Sequence, residues 1–249
     1  MADSISYDNL FEIIKHTRSI RRFKSDTVPM ELIDKIIDAA RYAPSGYNQQ
    51  PWDFIVVTET ELRDKIADYT RSYRDQLRDM ETTRESWQGA YTPRPVGTEL
   101  DYSSAPAYIV LIGDTRTNQG LPMGVRYDEH RLNHIFISSL ANAFLYMHMA
   151  ASCLGLASQW LSSVTTPYAQ CMIKNLLGVS EYFEVYDVLV LGYPAAEASP
   201  KLLKPKDKMI HFNYCGPEAF RTEEEVNDFI RKARLWTMAS HARKPDKKI

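Results

Sequence analysis

The stretch EHRLNHIFISSLANAFLYMHMAASCLGL, residues 129 to 156, decides the architecture of this chain. It is long enough for about seven turns of helix, and apolar residues occupy nearly every side of that helix instead of a single stripe. A helix of this kind runs through the middle of a protein or across a subunit interface. It contains no run of eighteen apolar residues, so we expect a core helix and no membrane association.

Strand-like runs lie on both sides of this helix and are far apart in the sequence. They are DFIVVT (53 to 58), AYIVLIGD (107 to 114) and YDVLVLGYP (186 to 194), all rich in β-branched or apolar residues. Helical patterns separate them. This order predicts an α/β or α+β layer with a central helix, and argues against a helical bundle or a β-sandwich.

Several helix ends have recognisable signals. Asp8 is expected to cap the first helix, and the second should end just before Pro44, which disfavours helical geometry in the preceding residue. Thr166 is expected to cap the helix that follows the central one. In the tail, Thr222 and Glu225 have the spacing of a capping box.

The 249-residue chain has the composition of a globular protein, with 44% hydrophobic and 25% charged residues. Its formal net charge of -2 lacks the broad basic field that attracts nucleic acids or anionic membranes. Its cysteines, Cys153, Cys171 and Cys215, are widely spaced and form no CxxC pair, which suits reduced thiols better than a disulfide framework or a zinc site. The start of the chain lacks the apolar core of a secretory signal. We therefore expect a cytoplasmic protein.

The first motif with chemical potential is HTRSIRRF, residues 16 to 23. Arg18, Ser19, Arg21 and Arg22 offer guanidinium groups and a hydroxyl, which are the donors that a phosphate monoester accepts. The alternative is a solvated basic helix end, favoured by the helix dipole.

The second motif is APSGYNQQPW, residues 43 to 52, between a helix and a strand. Ser45 and Gly46 allow the backbone to approach a ligand closely, and Asn48, Gln49 and Gln50 both donate and accept, as the edge of a flat heterocycle requires. The alternative is an ordinary loop whose amides satisfy its own backbone.

Two further motifs are weaker. LGLASQWLSSVTTP, residues 154 to 167, leaves the long helix through Gly155, and it also reads as a helix cap followed by a connection with Trp160 buried for packing. LLKPKDKMIHF, residues 202 to 212, lies in a lysine-rich stretch, and a solvated face is its first interpretation.

Together these motifs resemble the nitroreductase-like flavoprotein family, which includes the iodotyrosine deiodinases. The resemblance rests on Arg-Ser-x-Arg-Arg-Phe, on Ala-Pro-Ser-Gly-x-Asn-x-Gln-Pro-Trp, and on the later Leu-Gly-Leu-x-Ser and LGYP stretches. It covers residues 8 to 212 except a variable segment, 71 to 106. It implies an α+β fold of the three-layer α/β sandwich type, with a mixed, mainly antiparallel sheet flanked by helices around a long central helix. It also implies a single domain, 1 to 249, with 71 to 106 as a lid and 213 to 249 as a C-terminal extension.

The resemblance implies a homodimer that holds FMN in two equivalent pockets at its interface. Arg18, Ser19 and Arg21, with Arg22 beside them, would hold the phosphate and ribityl end, and Arg21 would reach the pyrimidine oxygens. The other cofactor-binding positions are Pro44, Ser45 and Gly46 from the partner, Asn48 in the same loop, Gln159, Trp160, Leu161 and Ser162 along the flavin N5 edge, and Lys204 and Lys206 over the phosphate.

The implied activity is FMN-dependent transfer of electrons from NADH or NADPH to a nitroaromatic, a quinone or a similar small acceptor by ping-pong hydride transfer. Because this chemistry occurs at flavin N5, no catalytic side chain is required, and the sequence offers no convincing Ser-His-Asp set. His130 and His134 are spaced like metal ligands but lack the Glu of HExxH, so we expect no metal. The sequence contains no GxGxxG motif, so it does not predict a Rossmann nicotinamide site.

One departure from the family and two alternatives limit this interpretation. Many members carry an amide side chain in the long helix, where this chain has Leu145, Tyr146 and Met147. The alternatives are a reductive dehalogenase of the iodotyrosine deiodinase type, for which Glu85 and Tyr91 are the candidate substrate-gripping residues, and a flavin-binding protein without turnover. The aromatic residues of the variable segment, Tyr73, Trp87, Tyr91 and Tyr102, either stack on an aromatic substrate or pack within the dimer.

Overall fold

The computed structural model describes residues 6–80, 102–198 and 201–242. The chain divides into two compact units, the first formed by residues 1–76 and 95–198 and the second by residues 77–94 and 199–249. The two units are described separately below, and the single domain spanning 1 to 249 stays a prediction.

The first unit is built on a four-stranded sheet. Its strands are β1 (Trp52–Val57), β2 (Ala107–Asp114), β3 (Ala157–Leu161) and β4 (Phe183–Gly192), in the spatial order β1-β2-β4-β3. Every neighbouring pair is antiparallel, which confirms the mainly antiparallel sheet. The three predicted strands are confirmed as β1, β2 and β4, whereas β3 replaces the connection that the sequence analysis expected after the long helix.

The helices of the first unit are α1 (Tyr7–His16), α2 (Met30–Arg41), α3 (Thr60–Met80, whose last residues belong to the second unit), α4 (Met123–Arg126), α5 (Glu129–Cys153) and α6 (Pro167–Leu177). The predicted cap of α1 is wrong. Ser6 caps this helix because its hydroxyl accepts from the backbone N–H of Asp8 at 3.2 Å, and Asp8 lies inside the first turn. The predicted cap of α6 is confirmed, since Thr166 Oγ accepts from Ala169 N at 3.3 Å.

Helices cover both faces of the sheet. Alternate residues of the strands divide between two cores, because successive side chains point to opposite faces. Ile109 and Leu189 belong to one core, shared with α2 and α5, whereas Val110 and Val190 belong to the other, which contains Ile66 of α3 and Ile173 of α6. The three-layer architecture with a central α5 is therefore confirmed.

The long helix α5 is buried along one side and exposed along the other. Phe136, Leu140, Phe144 and Met147 lie in the core, while Tyr146 is among the large apolar residues on the exposed side. By length and hydropathy α5 is the one helix in the described ranges that could cross a membrane, but 44% of its most apolar window is buried inside the protein. α5 therefore packs against the core of the first unit along one side only.

The second unit contains α7 (Glu223–Ala242). The predicted capping box at its start is confirmed: Thr222 N donates to Glu225 Oε2 at 2.9 Å, and Glu225 N donates to Thr222 Oγ1 at 3.2 Å. Within the same unit, Lys204 is half-buried and Lys206 is exposed at a short 3₁₀ turn.

Candidate functional site

The arginine motif runs along the free edge of β3. Ser19 forms a parallel bridge with Ser158, and Ile20 N donates to Ser158 O at 2.9 Å. Further along, Phe23 bridges Pro194 just beyond the end of β4. The structure therefore brings the first and third sequence motifs together, although they are about 140 residues apart in the chain.

The arginine side chains of this segment are half-buried and partly engaged by their own backbone. Arg18 Nη1 donates to Thr17 O at 2.8 Å and to Ile14 O at 3.4 Å, and it thereby satisfies carbonyl groups at the end of α1. Arg21 Nη1 donates to Ser19 O at 3.4 Å. Nη1 of Arg18 thus acts at the helix end, as the alternative interpretation expects. The guanidinium also carries donors on Nε and Nη2.

The open edge of β3 also presents backbone groups. β3 is the last strand in the sheet order, and only the bridge at Ser19 lies beside it among the residues that the structure describes. Because Ser158 turns its carbonyl outward to Ile20, alternation along the strand turns the backbone N–H and C=O of Trp160 outward as well. The outward groups of Trp160 therefore lie on the side of β3 where the arginine segment bridges Ser158.

Two buried polar pairs lie under β3, on the side of α5. Ser158 Oγ is 2.6 Å from His148 Nδ1, and Trp160 Nε1 donates to Asp187 Oδ2 at 2.5 Å. His148 and Asp187 are 7% and 5% exposed. Among the described residues, Asp187 Oδ1 on the same face and Gln159 Oε1 on the opposite face have no hydrogen-bond partner.

Burial shifts the titration of both acidic and basic members of these pairs. Desolvation lowers the pKa of His148 to about 4, which keeps the imidazole neutral. Desolvation raises the pKa of Asp187 to about 6, against the opposing effect of the hydrogen bond from Trp160. The sequence analysis did not single out His148 or Asp187 as part of the site. Ser158 and Trp160 point to the same face of a strand, and this alternation is the signal that could have indicated polar partners beneath them.

The second motif forms a loop held by its own amides. Gln50 N donates to Ser45 Oγ at 3.0 Å, and Gln50 Nε2 donates to Asn48 Oδ1 at 3.1 Å. Gln49 Nε2 donates to Thr117 O at 2.7 Å. The side-chain amides of this loop therefore bond within the protein, Gln49 to a backbone carbonyl and Gln50 to Asn48, as the alternative interpretation of an ordinary loop expects in part. Their assignment to a cofactor stays a prediction.

The central helix fixes the other end of this loop. Gly46 N donates to Ser139 Oγ at 3.1 Å, and Asn142 Nδ2 donates to Pro44 O at 3.0 Å. A Cβ on Gly46 would lie 2.4 Å from Ile135 Cγ2, so packing against α5 requires glycine there. The long helix thus carries an amide side chain that contacts the loop, Asn142, about one turn before Leu145.

The loop and the β3 edge occupy opposite corners of the first unit. Ser158 aligns through β4 with Ala107 at the start of β2, whereas Trp52, just after the loop, aligns with Gly113 near its end. Standard sheet dimensions put these points roughly 20 Å apart along the strands and about 14 Å apart across the sheet. One chain does not bring Pro44, Ser45, Gly46 and Asn48 to the edge that carries Arg18.

Of the aromatic residues in the variable segment, Tyr102 packs within its own chain. It is buried, its hydroxyl contacts Thr70 Oγ1, and its carbonyl accepts from Tyr108 Oη at 3.3 Å. Burial raises the pKa of Tyr102 to about 12. Glu85, Trp87 and Tyr91 lie outside the described residues. The described ranges hold no group of three or more potential metal ligands.

Comparison with known proteins shows the family to which this chain belongs. The model of the family described as the nitroreductase family matches residues 14–193, well over half of the chain. This chain belongs to the nitroreductase family. The match contains the arginine segment, the loop and all four strands, and ends just after β4.

Relatives within the nitroreductase family have different names. Iodotyrosine deiodinase 1 of Rattus norvegicus is 27% identical over 198 residues, which cover 79% of this chain and 66% of the relative. A putative NADH dehydrogenase/NAD(P)H nitroreductase of Methanothermobacter thermautotrophicus is 26% identical over 205 residues, covering 82% and 87%. The solved structure of an FMN-dependent nitroreductase from Clostridium difficile R20291 is 25% identical, with a TM-score of 0.61 and coverage of 82% of this chain and 99% of its own.

Proposed function

We propose that this member of the nitroreductase family is an FMN-dependent oxidoreductase that takes electrons from NADH or NADPH and passes them to a nitroaromatic, a quinone or a similar small acceptor. The observation that carries the proposal is the meeting of Arg18–Arg22 with the open edge of β3 at Ser158, two residues before Trp160. This edge combines cationic donors with an outward backbone N–H. Such a surface suits a ligand that has a phosphate at one end and a flat heterocycle at the other.

The donor set fits the cofactor from end to end. Arg18, Ser19 and Arg21, with Arg22 beside them, would bind the phosphate and ribityl end, since guanidinium groups match phosphate oxygens geometrically. Arg21 would stabilise negative charge at the pyrimidine end, and the backbone N–H of Trp160 would orient the opposite edge of the ring. When bound, FMN would supply hydride acceptance and donation at N5.

The proposal includes a homodimer, because the loop and the β3 edge lie at opposite corners of one chain. Two copies related by a twofold axis would place the loop of each against the edge of the other and complete two equivalent sites. Two exposed apolar surfaces support this arrangement. α1 buries none of its residues, and Ile137, Leu145 and Tyr146 of α5 are exposed. Closure of Lys204 and Lys206 over the phosphate is proposed on family resemblance.

A second candidate function is reductive dehalogenation of a halogenated phenol. The similarity to iodotyrosine deiodinase 1 favours it, although this chain aligns with only 66% of that relative's length. A third candidate, a flavin carrier without turnover, predicts bound FMN that neither nicotinamide reduces. The proposed location of the protein is the cytoplasm, which the free thiols of Cys153, Cys171 and Cys215 suit.

The proposed function is tested by anaerobic titration of the FMN-loaded protein with NADH and NADPH separately. Bleaching of the flavin absorption by either nucleotide, followed by reoxidation with a nitroaromatic or a quinone, is the expected result. Flavin that dithionite reduces but both nicotinamides leave oxidised would contradict the proposal. In that case, turnover of 3-iodotyrosine by the dithionite-reduced protein separates the dehalogenase from the carrier.

A further inference from the structure

A histidine inside the apolar central helix contacts the strand that carries the proposed site. His148 lies on the sheet side of α5, and its Nδ1 is 2.6 Å from Ser158 Oγ. Ser158 is 3% exposed. A buried polar pair costs desolvation that an apolar pair of similar size would avoid, so its presence in the core calls for an explanation.

Ser158 is also the residue of β3 that the arginine segment contacts. Its side chain points inward to His148, while its carbonyl points outward and accepts from Ile20 N at 2.9 Å. The bridge between Ser19 and Ser158 sets which residue of the segment lies beside which residue of β3. Ser158 therefore links α5 to the segment that holds Ser19, through one hydrogen bond of its side chain and another of its backbone carbonyl.

Other contacts also hold this segment: Ile20 packs against the core that contains Val110 and Val190, and Phe23 is buried in that core. α1, which precedes it, buries none of its residues, so helix packing constrains the segment weakly from that side. On its other side, Lys24 N donates to Tyr193 O at 2.9 Å and Ala195 N donates to Arg22 O at 3.0 Å, which anchor the end of the segment. The bond at Ile20 is thus the anchor nearest to Ser19, and it depends on the position of Ser158.

We propose that His148 is a positioning residue for the phosphate end of the cofactor, because it holds Ser158 and thereby sets the register of Arg18–Arg22 against β3. This inference rests on the proposed FMN site. His148 does not touch the cofactor. It acts through Ser158 on the donors nearest to the Ser19 bridge, Arg18 and Ser19, which are assigned to the phosphate, so its main effect is on phosphate binding.

The test compares the affinity of the full-length protein for FMN with its affinity for riboflavin, which has the same ring but lacks the phosphate. In His148→Leu the ratio of the two affinities should fall roughly tenfold, about the effect of losing one well-placed hydrogen bond to a charged group. Riboflavin affinity should stay within about twofold of the wild-type value. His148→Asn keeps a hydrogen-bonding atom near the position of Nδ1 and should restore most of the ratio.

Met147→Ala is the matched control, because Met147 is fully buried on the same helix but apolar. It should lower stability without changing the ratio of FMN to riboflavin affinity. Equal losses for both ligands in His148→Leu, or no change for either, would overturn the positioning role. If His148→Leu does not fold, Ser158→Ala gives the same comparison from the strand side. A wild-type protein that binds neither ligand would instead contradict the proposed function itself.

Discussion

The buried carboxyl of Asp187 makes the stability of this protein depend on pH in a direction opposite to that of a salt-bridged carboxylate. Its side chain is 5% exposed, and one of its oxygens has no hydrogen-bond partner among the described residues. Burial raises its pKa from 3.8 to about 6. The folded state therefore keeps a proton that the unfolded state releases near pH 4, so protonation of Asp187 favours folding at low pH.

The sign follows from proton binding. Between pH 4 and pH 6 the folded state binds more protons than the unfolded state, so the free energy of unfolding falls as pH rises. The contribution is complete below the unfolded pKa and is lost as pH rises through the folded pKa of about 6. Over the full range the shift corresponds to about 3 kcal/mol, and between about pH 5 and about pH 7.5 to roughly 1.4 kcal/mol.

Asp187→Asn isolates this contribution, because the amide keeps an acceptor for Trp160 Nε1 but does not titrate. The assay is urea unfolding followed by circular dichroism at several pH values and one fixed protein concentration. The free energy of unfolding of wild type minus that of the variant should fall by roughly 1.4 kcal/mol between about pH 5 and about pH 7.5. The control is Asp34→Asn, because Asp34 is an exposed carboxylate on α2. A flat difference for Asp187→Asn, or one that rises with pH, would refute the reasoning.

Three further predictions concern the site. Replacing Arg18 and Ser19 together by alanine should strip the cofactor, because both are assigned to the phosphate; absorbance of the purified protein measures this. Gly46→Ala should destabilise the protein by about 1–3 kcal/mol, since the new Cβ would lie 2.4 Å from Ile135 Cγ2, and Ile135→Ala in the same chain should recover part of that loss. A mixed dimer of an Arg18→Ala/Ser19→Ala chain with a Gly46→Ala chain should recover one intact FMN site of two, measured by flavin content.

Each of these three predictions has its own control or contradicting result. Arg41→Ala removes an exposed arginine of α2 and should leave flavin content unchanged; a double variant that purifies fully yellow would remove the phosphate assignment. Full stability of Gly46→Ala would show that the loop does not pack against α5 as described. The shared site fails if light scattering at micromolar concentration finds a flavin-loaded monomer.

The strands and helices that the sequence predicted correctly have uniform patterns. β2 is buried along almost its whole length, so its run of apolar residues is continuous and its bounds agree with the prediction. β3 was missed because its polar and aromatic residues, Ser158, Gln159 and Trp160, do not form such a run. Their burial depends on partners in α5 and β4 that are distant in sequence.

The candidate site was also predicted only where it did not depend on contacts between distant residues. Family motifs located the arginine segment and residues 159 to 162 without predicting that most of the latter form a strand, and the structure brings the arginine segment and this strand together. The amides of the loop looked like ligand-binding groups because a sequence does not show whether a polar side chain already has a partner. Thr117 and Ser139, which bond Gln49 and Gly46, come from distant parts of the chain. The contact of Asn142 with Pro44 was not predicted, because the two residues are 98 positions apart.

The most direct test of the account is whether the wild-type chain binds FMN at the β3 edge. Purified protein is titrated with FMN, and flavin fluorescence and the mass of the complex are measured together. The account predicts one FMN per chain and two per dimer, with binding lost when Arg18 and Ser19 are both replaced. A protein that stays colourless and takes up no FMN, or one that binds it equally well without those two residues, would contradict it.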